Sequence, residues 1–301
     1  MLVTYPMKHI NNNYQEEISF NDLSKYSAWP ARLLSLEHFP TRQKSKEEVL
    51  REYQTEKWND LYQAVIKTGS PTLEMVESLS ENPDEISPYA DSDRLFLTTN
   101  KNILERHLEL YHKVLEPHCK GAAALVELGA GYGSKILGLA KRQPFSDMQL
   151  VGAELTENGR NIMNLLSQSG KKNIKVGSCD FDSLTIDPNL IPKNSVIFTS
   201  YAAHYVPELS MDFADFLLQL EPKAIIHFEP VYELFSSDSI YELMCRRYME
   251  INDYTRNLMS VINHSVENKK SVISSLKINQ LSANPFLPIS VIEWHPSKKF
   301  S

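Results

Sequence analysis

The residues best suited to chemistry lie in one stretch, Leu125-Val126-Glu127-Leu128-Gly129-Ala130-Gly131-Tyr132-Gly133-Ser134. An apolar run enters three glycines in five residues, and a helix-patterned run (Ile136, Leu137, Leu139, Ala140) leaves them. Glycine lets the backbone turn sharply and lets a ligand approach the main chain closely. The helix N-terminus beyond adds free N–H groups and a positive dipole end, so such a loop can hold a phosphate or a carboxylate. Acids follow at set distances. Twenty-one residues after Gly133 a second strand ends Ala153-Glu154-Leu155, an acid placed to bind vicinal ribose hydroxyls. A further pair, Asp180-Phe181-Asp182, follows a third strand. The glycines run G-x-G-x-G, whereas the dinucleotide fingerprint has its third glycine one position later, where Ser134 stands.

The elements that must position these residues divide the chain in two. Residues 1–117 contain one glycine and read as a helical cap. Residues 45–67 place Val49, Leu50, Tyr53, Trp58, Leu61, Tyr62, Val65 and Ile66 at steps of three and four, one apolar stripe stopped by Gly69-Ser70-Pro71. A short helix over 72–80 leads to a proline-containing loop through Asn82-Pro83 and Ser87-Pro88, and a helix over 100–116 ends at Pro117. Residues 118–301 alternate strand and helix, the pattern of an α/β sheet. Strands are expected at Ala122–Leu128, Gln149–Glu154, Asn173–Cys179, Ser195–Ser200 and Ala224–Glu229. A long helix at about 239–263 should follow, then strands Val272–Gln280 and Ile289–Trp294. The five residues 284–288 are too few for a helical crossover, so the last two strands should be antiparallel neighbours.

Composition removes several function classes. At 42% hydrophobic and 23% charged the chain is globular rather than disordered or coiled-coil. The first 120 residues carry 14 basic and 19 acidic groups and the remainder 17 and 19, too little basic excess to favour nucleic acid. No run of eighteen apolar residues occurs, and Met1–Tyr5 then Pro6 lacks a signal-peptide pattern, so no membrane is expected and the expected location is cytoplasmic. Cys119, Cys179 and Cys245 are too scattered for a disulfide framework and read as buried thiols.

Together, E-L-G-A-G-Y-G, the acid ending strand two and the acid after strand three resemble the class I S-adenosylmethionine (AdoMet)-dependent methyltransferases, over roughly residues 122–294. The resemblance implies a Rossmann-like seven-stranded sheet with the last strand antiparallel and S-adenosyl-L-methionine as cofactor. It places Gly129, Ala130, Gly131 and Gly133 against the methionine part, with Glu127 facing its amino group. Glu154, with Leu155 beside it, would take the ribose hydroxyls, and Asp180 the adenine amino group, with Phe181 along the ring. Ser200 completes the expected cofactor set. A nicotinamide dehydrogenase and a nucleotide-cofactor-binding protein without turnover are the alternatives.

The acceptor site should lie over the carboxyl ends of strands four and five. Strand four runs into Ser200-Tyr201-Ala202-Ala203-His204-Tyr205 and lacks the acid-or-Asn, Pro-Pro, aromatic pattern of family members that methylate base or amide nitrogens. His204 can act as general base because imidazole titrates near neutral pH. Glu229, ending strand five, would orient the acceptor, with Tyr201 alongside; His227 sits deeper and reads as core. A metal set from His204, Glu229 and His264 would make a metal-assisted O- or C-methyltransferase, though the spacing does not require one. The motif and helical leader are also similar to methyltransferases of bacterial sugar and natural-product pathways, which implies a small-molecule or peptide acceptor methylated on O or N. The leader would roof the cleft, or form a homodimer face with exposed aromatics such as Trp29 and Trp58.

Overall fold

A computed structural model of the chain describes residues 14–170 and 172–297. Met1–Pro6 lies outside the described residues. Strand β4 (Ala124–Leu128) is an interior strand of the sheet, and its alternating side chains are buried on both faces. Leu125 packs with the core on one face, and Ala124, Val126 and Leu128 with that on the other. On one side of β4 lie β5 (Gln149–Ala153) and β6 (Ile174–Gly177), both parallel to their neighbours. On the other lie β9 (Val196–Ser200) and β10 (Ala224–Glu229), also parallel. A short antiparallel pair, β7 (Cys179–Asp180) and β8 (Thr185–Ile186), holds the loop after β6.

The terminal hairpin forms as expected. Strand β12 (Pro288–Pro296) runs antiparallel to β10 and to β11 (Ser271–Ser282). The order β6-β5-β4-β9-β10-β12-β11 is a seven-stranded Rossmann-like sheet with its last strand antiparallel. Its order reverses between β4 and β9, which opens a crevice at their carboxyl ends. Helices α5 (Asn100–Cys119), α6 (Ser134–Leu139) and α7 (Glu157–Ser169) contribute to the core on one face, and α8 (Phe213–Gln219) and α10 (Leu258–Glu267) to that on the other.

The leader departs from a purely helical cap. It supplies β1 (Glu16–Ile18), β2 (Ile86–Asp91) and β3 (Arg94–Thr99), which extend the same sheet beyond β11. The proline-containing loop expected here holds at Asn82-Pro83, but Ser87-Pro88 lies in a hairpin: Asp91 pairs with Arg94 across Ser92 and Asp93, and Ser92 takes φ 58°. Pro88 is tolerated because the other edge of β2 meets β11 only at Asp91–Leu281. The leader's helices are α1 (Trp29–Leu33), α2 (Lys46–Leu50), α3 (Trp58–Ile66) and α4 (Leu73–Ser80), with a π-helical turn Arg51–Lys57 joining α2 to α3.

The expected long helix at 239–263 is two: α9 (Ile240–Ile251) and α10. Asn252 donates its side-chain amide to Tyr248 O at 2.9 Å, and Asp253 turns at φ 53°. Thr255 then donates to Ala203 O, at 2.8 Å, and to Val206 O. Short polar side chains that bond nearby backbone compete with helix, and here they tie the break to the loop after β9. Among the described residues no helix is long and apolar enough to cross a membrane, and no group of three or more His, Cys, Asp and Glu could hold a metal ion.

Candidate functional site

The glycine loop leaves β4 and is pinned at once to β5: Gly129 and Ala130 donate to Ala153 O at 2.8 and 3.0 Å. Gly129, Gly131 and Gly133 have φ of 71°, 56° and 86°, the left-handed region that L side chains disfavour. Gly129 also needs the space, since a Cβ there would stand 2.4 Å from the Ala202 Cβ.

A cavity of about 410 Å³ opens between this loop and the leader, at the crevice where the strand order reverses. Gly129, Ala130, Gly131, Glu154, Leu155, Asp180, Phe181 and Tyr201 line it. The structure therefore brings eight of the thirteen expected site residues together at one wall.

Glu154 follows β5, and its carboxylate is already committed. Gly131 N–H donates to Oε2 at 2.9 Å, and Thr156 donates its N–H and hydroxyl to Oε1 at 2.9 and 2.7 Å. Asp180 Oδ2 accepts from Ser183 Oγ at 2.7 Å and pairs with Lys46 Nζ, while Oδ1 accepts from Asp182 N at 3.0 Å. Burial pushes the Asp180 carboxyl up, but Lys46 and Ser183 outweigh it and hold the group below the usual carboxylate range. The Phe181 ring, 9% exposed, packs edge-on against Phe213.

Five expected residues stand behind the wall. Gly133 is the turn into α6. Glu127 is fully buried; Ile136 N–H donates to Oε2 at 3.1 Å, while Oε1 has no hydrogen-bond partner. Burial pushes its carboxyl up to about 7, against Lys135 Nζ at 3.9 Å. Ser200 bonds Tyr111 OH at 2.7 Å inside the core. His204 and Glu229, expected to meet an acceptor, instead face each other: Nδ1 lies 3.3 Å from Oε2, and neither residue lines the cavity. Glu229 also accepts from Ala202 N and Ala203 N, at 2.9 and 3.1 Å. An acid at the end of an inner strand is taken up by the loop N–H groups above it, and the histidine is drawn in with it. Burial lowers the imidazole pKa although Glu229 opposes the shift.

Tyr201 keeps its ring on the cavity but spends its hydroxyl elsewhere. It donates to Leu287 O at 3.2 Å and accepts from Ala283 N at 3.1 Å. His227 is core, bonded to Thr199 Oγ1 at 2.9 Å. His264 bonds its own helix neighbour Asn268. Trp58 is buried against Tyr132 and so offers no exposed dimer face, while Trp29 is half-buried, packed on Phe39 and Tyr248.

The residues missed from sequence are on the leader. Lys46, Val49, Tyr53 and Lys57 follow at steps of three and four along one helical run and line the cavity opposite the glycines. The π turn frees Gln54 O, which accepts from Asn158 Nδ2 at 2.9 Å and docks the run on α7. The Tyr53 and Tyr205 hydroxyls are hydrogen-bonded across the cavity mouth. The stripe Val49-Tyr53-Trp58 was visible, but the lysines beside it read as ordinary solvated charge.

No family model and no curated protein matches this chain. Among solved structures, it is similar to the magnesium protoporphyrin IX methyltransferase of Synechocystis PCC 6803 with bound SAH, at 11% identity and TM-score 0.49, over 84% of this chain and 100% of that one. It is also similar to an O-methyltransferase from Bacillus cereus in complex with SAH, at 14% identity and TM-score 0.43, over 83% and 96% of the chains. A third is the methyltransferase domain of a bacterial CtHen1, at 16% identity and TM-score 0.44, over 64% and 99%. These are likenesses of fold.

Proposed function

We propose that the chain is an AdoMet-dependent methyltransferase, cytoplasmic, acting on oxygen or nitrogen of a small-molecule or peptide acceptor in a natural-product or sugar pathway. Residues 118–301 form its cofactor-binding catalytic region, and residues 1–117 bind the acceptor. One observation carries the reading: a cavity at the strand-order reversal has Asp180 and Phe181, then Glu154, then the open main chain of Gly131, in succession along its wall. Two carboxylate acceptors, an aromatic ring and a bare glycine backbone suit an adenine, a ribose and an amino-acid tail. Gly131 adds a cradle, since a Cβ there would project to 3.5 Å from the Trp58 ring. AdoMet, when bound, supplies a methyl group on a sulfonium whose charge is lost on transfer, so the site needs no oxyanion hole.

The protein's share of the chemistry is placement. Holding an acceptor in line with the methyl removes most of the entropy of meeting. The wall available for that is Tyr53, Tyr205, Trp58 and Tyr132. Burial raises the Tyr53 and Tyr205 pKa, so both hydroxyls stay protonated donors. His204 and Glu229 act as positioning residues that brace the Tyr201–Tyr205 loop, and Glu127, Gly133 and Ser200 support the cofactor wall from behind.

Calorimetry with S-adenosylhomocysteine, AdoMet and NAD tests the cofactor. The expected result is micromolar binding of the first two; NAD binding alone would make the protein a dehydrogenase. Incubation with methyl-tritiated AdoMet and pooled small-molecule extracts tests turnover, and binding without any labelled product would leave a cofactor-binding protein.

A further inference from the structure

Four lysines line the cavity, and two of them are already neutralised: Lys44 pairs with Glu52, and Lys46 with Asp180. Lys57 is not, and Lys135 has only a distant partner. Among the described residues no carboxylate lies within ion-pair distance of Lys57, and Glu52 and Glu81 act on it only from farther off. Its ammonium instead lies 5.3 Å from the Tyr53 ring centroid and 5.2 Å from that of Trp58. Lys135, in the first turn of α6, reaches only Glu127, at 3.9 Å. Burial lowers the Lys57 pKa, and the charge of Lys135 adds a smaller push in the same direction. Two lysines facing one cavity, one with no carboxylate in reach and the other with only the Glu127 carboxyl, which burial pushes up to about 7, are a site for an anion.

Their place along the cavity says which anion. Lys46 marks the Asp180 end, and Lys57 follows eleven residues later on the same helical run, roughly 15 Å on. Between them lies Glu154, bonded to Gly131, whose open face meets the Trp58 ring under Lys57. The lysines therefore sit past the ribose acid, at the end opposite the adenine acid.

Resting on the methyltransferase reading above, we propose that Lys57 and Lys135 form a carboxylate subsite that holds the amino-acid end of the cofactor. The π turn is what brings Lys57 over the glycine loop, so the leader binds cofactor as well as covering it.

Calorimetry on the full chain with S-adenosylhomocysteine and 5′-methylthioadenosine tests this, because the second ligand keeps the nucleoside thioether and lacks the carboxylate. Lys57→Gln and Lys135→Gln should each weaken S-adenosylhomocysteine about tenfold and leave methylthioadenosine within twofold, and Lys57→Arg should restore most of the loss. An equal loss for both ligands, or no loss for S-adenosylhomocysteine, overturns the subsite while the methyltransferase reading stands. A wild-type protein that binds neither ligand sinks that reading, and the subsite with it. Retained methylthioadenosine binding also shows that each variant is folded.

Discussion

Glu154 and Gly131 are joined by a hydrogen bond, 2.9 Å from the glycine N–H to Oε2, so the acid after β5 and the glycine loop after β4 form one unit before any ligand arrives. A carboxylate oriented in this way keeps one lone pair of Oε2 for a ribose hydroxyl without rearranging, because Oε1 is held by Thr156. Glu154→Gln should therefore weaken S-adenosylhomocysteine about 10- to 100-fold, since a charge-assisted hydrogen bond contributes about 1.5–3 kcal/mol. Calorimetry reads the affinity and urea denaturation the stability. A variant that lost stability but kept its affinity would assign Glu154 a structural role alone.

Gly129 and Gly131 should respond differently to alanine. Gly129→Ala puts a methyl 2.4 Å from the Ala202 Cβ, fixed by its own backbone, at φ 71°. Left-handed strain of about 1–2 kcal/mol and overpacking of about 1–3 kcal/mol should add. Gly131→Ala meets only an ordinary contact, Trp58 at 3.5 Å, and should cost about 1–2 kcal/mol. Gly131→Arg should fill the cavity and abolish binding. Urea midpoints and calorimetry separate the two effects.

Lys46 stands on Asp180 where a ligand amino group is expected, so it competes with that ligand. Lys46 is about a third exposed, and an exposed ion pair is worth about 0–1 kcal/mol. Lys46→Ala should thus tighten adenosine binding by up to about fivefold, whereas Asp180→Asn should weaken it. If Lys46→Ala weakens binding, the lysine is a ligand contact rather than a competitor.

The buried pair His204–Glu229 predicts a different phenotype. Glu229→Gln leaves the imidazole without its carboxylate and disturbs the N–H groups of Ala202 and Ala203. Burial favours the neutral imidazole, so what is lost is hydrogen bonding to a buried carboxylate rather than an ion pair, about 1.5–3 kcal/mol. Turnover should fall with stability, and the pH profile of the remaining activity should keep its shape. A pH profile that loses its acid limb in His204→Asn would restore the histidine as the base.

The cofactor side of the fold was legible because its constraints are local. Gly129 and Gly131 need positive φ, and Glu154 and Asp180 follow strands whose ends the apolar runs mark. The β2–β3 hairpin was not, because Pro88 reads as a strand breaker unless the weak pairing of that edge is known. The break at Asn252–Asn257 depends on Thr255 finding carbonyls some fifty residues away, which no local pattern encodes. His204 looked available because a sequence shows spacing but not depth, and Glu229 pulls it below the cavity wall. Lys57 was invisible for the converse reason, since an exposed-looking lysine on a helix becomes a site residue only when another element places Lys135 opposite.

The titration of the core gives a final test, in which opposing groups must be weighed. Burial lowers the His107 and His227 pKa from 6.5 to about 4. The unfolded chain takes up those protons first, so stability is lost as pH falls from about 6.5 towards 4, roughly 3 kcal/mol for each histidine. Glu127 has the opposite sign: burial raises it from 4.5 to about 7, so its contribution is full below 4.5 and is lost as pH rises through 7, again roughly 3 kcal/mol. Going from pH 7 to pH 4, the recovery at Glu127 offsets one of the two histidines, and these groups leave a net loss of about 3 kcal/mol. Glu127→Gln keeps an oxygen for Ile136 N–H but cannot titrate. Its loss over the same range should double to about 6 kcal/mol. Urea denaturation of both proteins at pH 7 and pH 4 measures the difference, and equal losses would show that folding does not raise the Glu127 pKa.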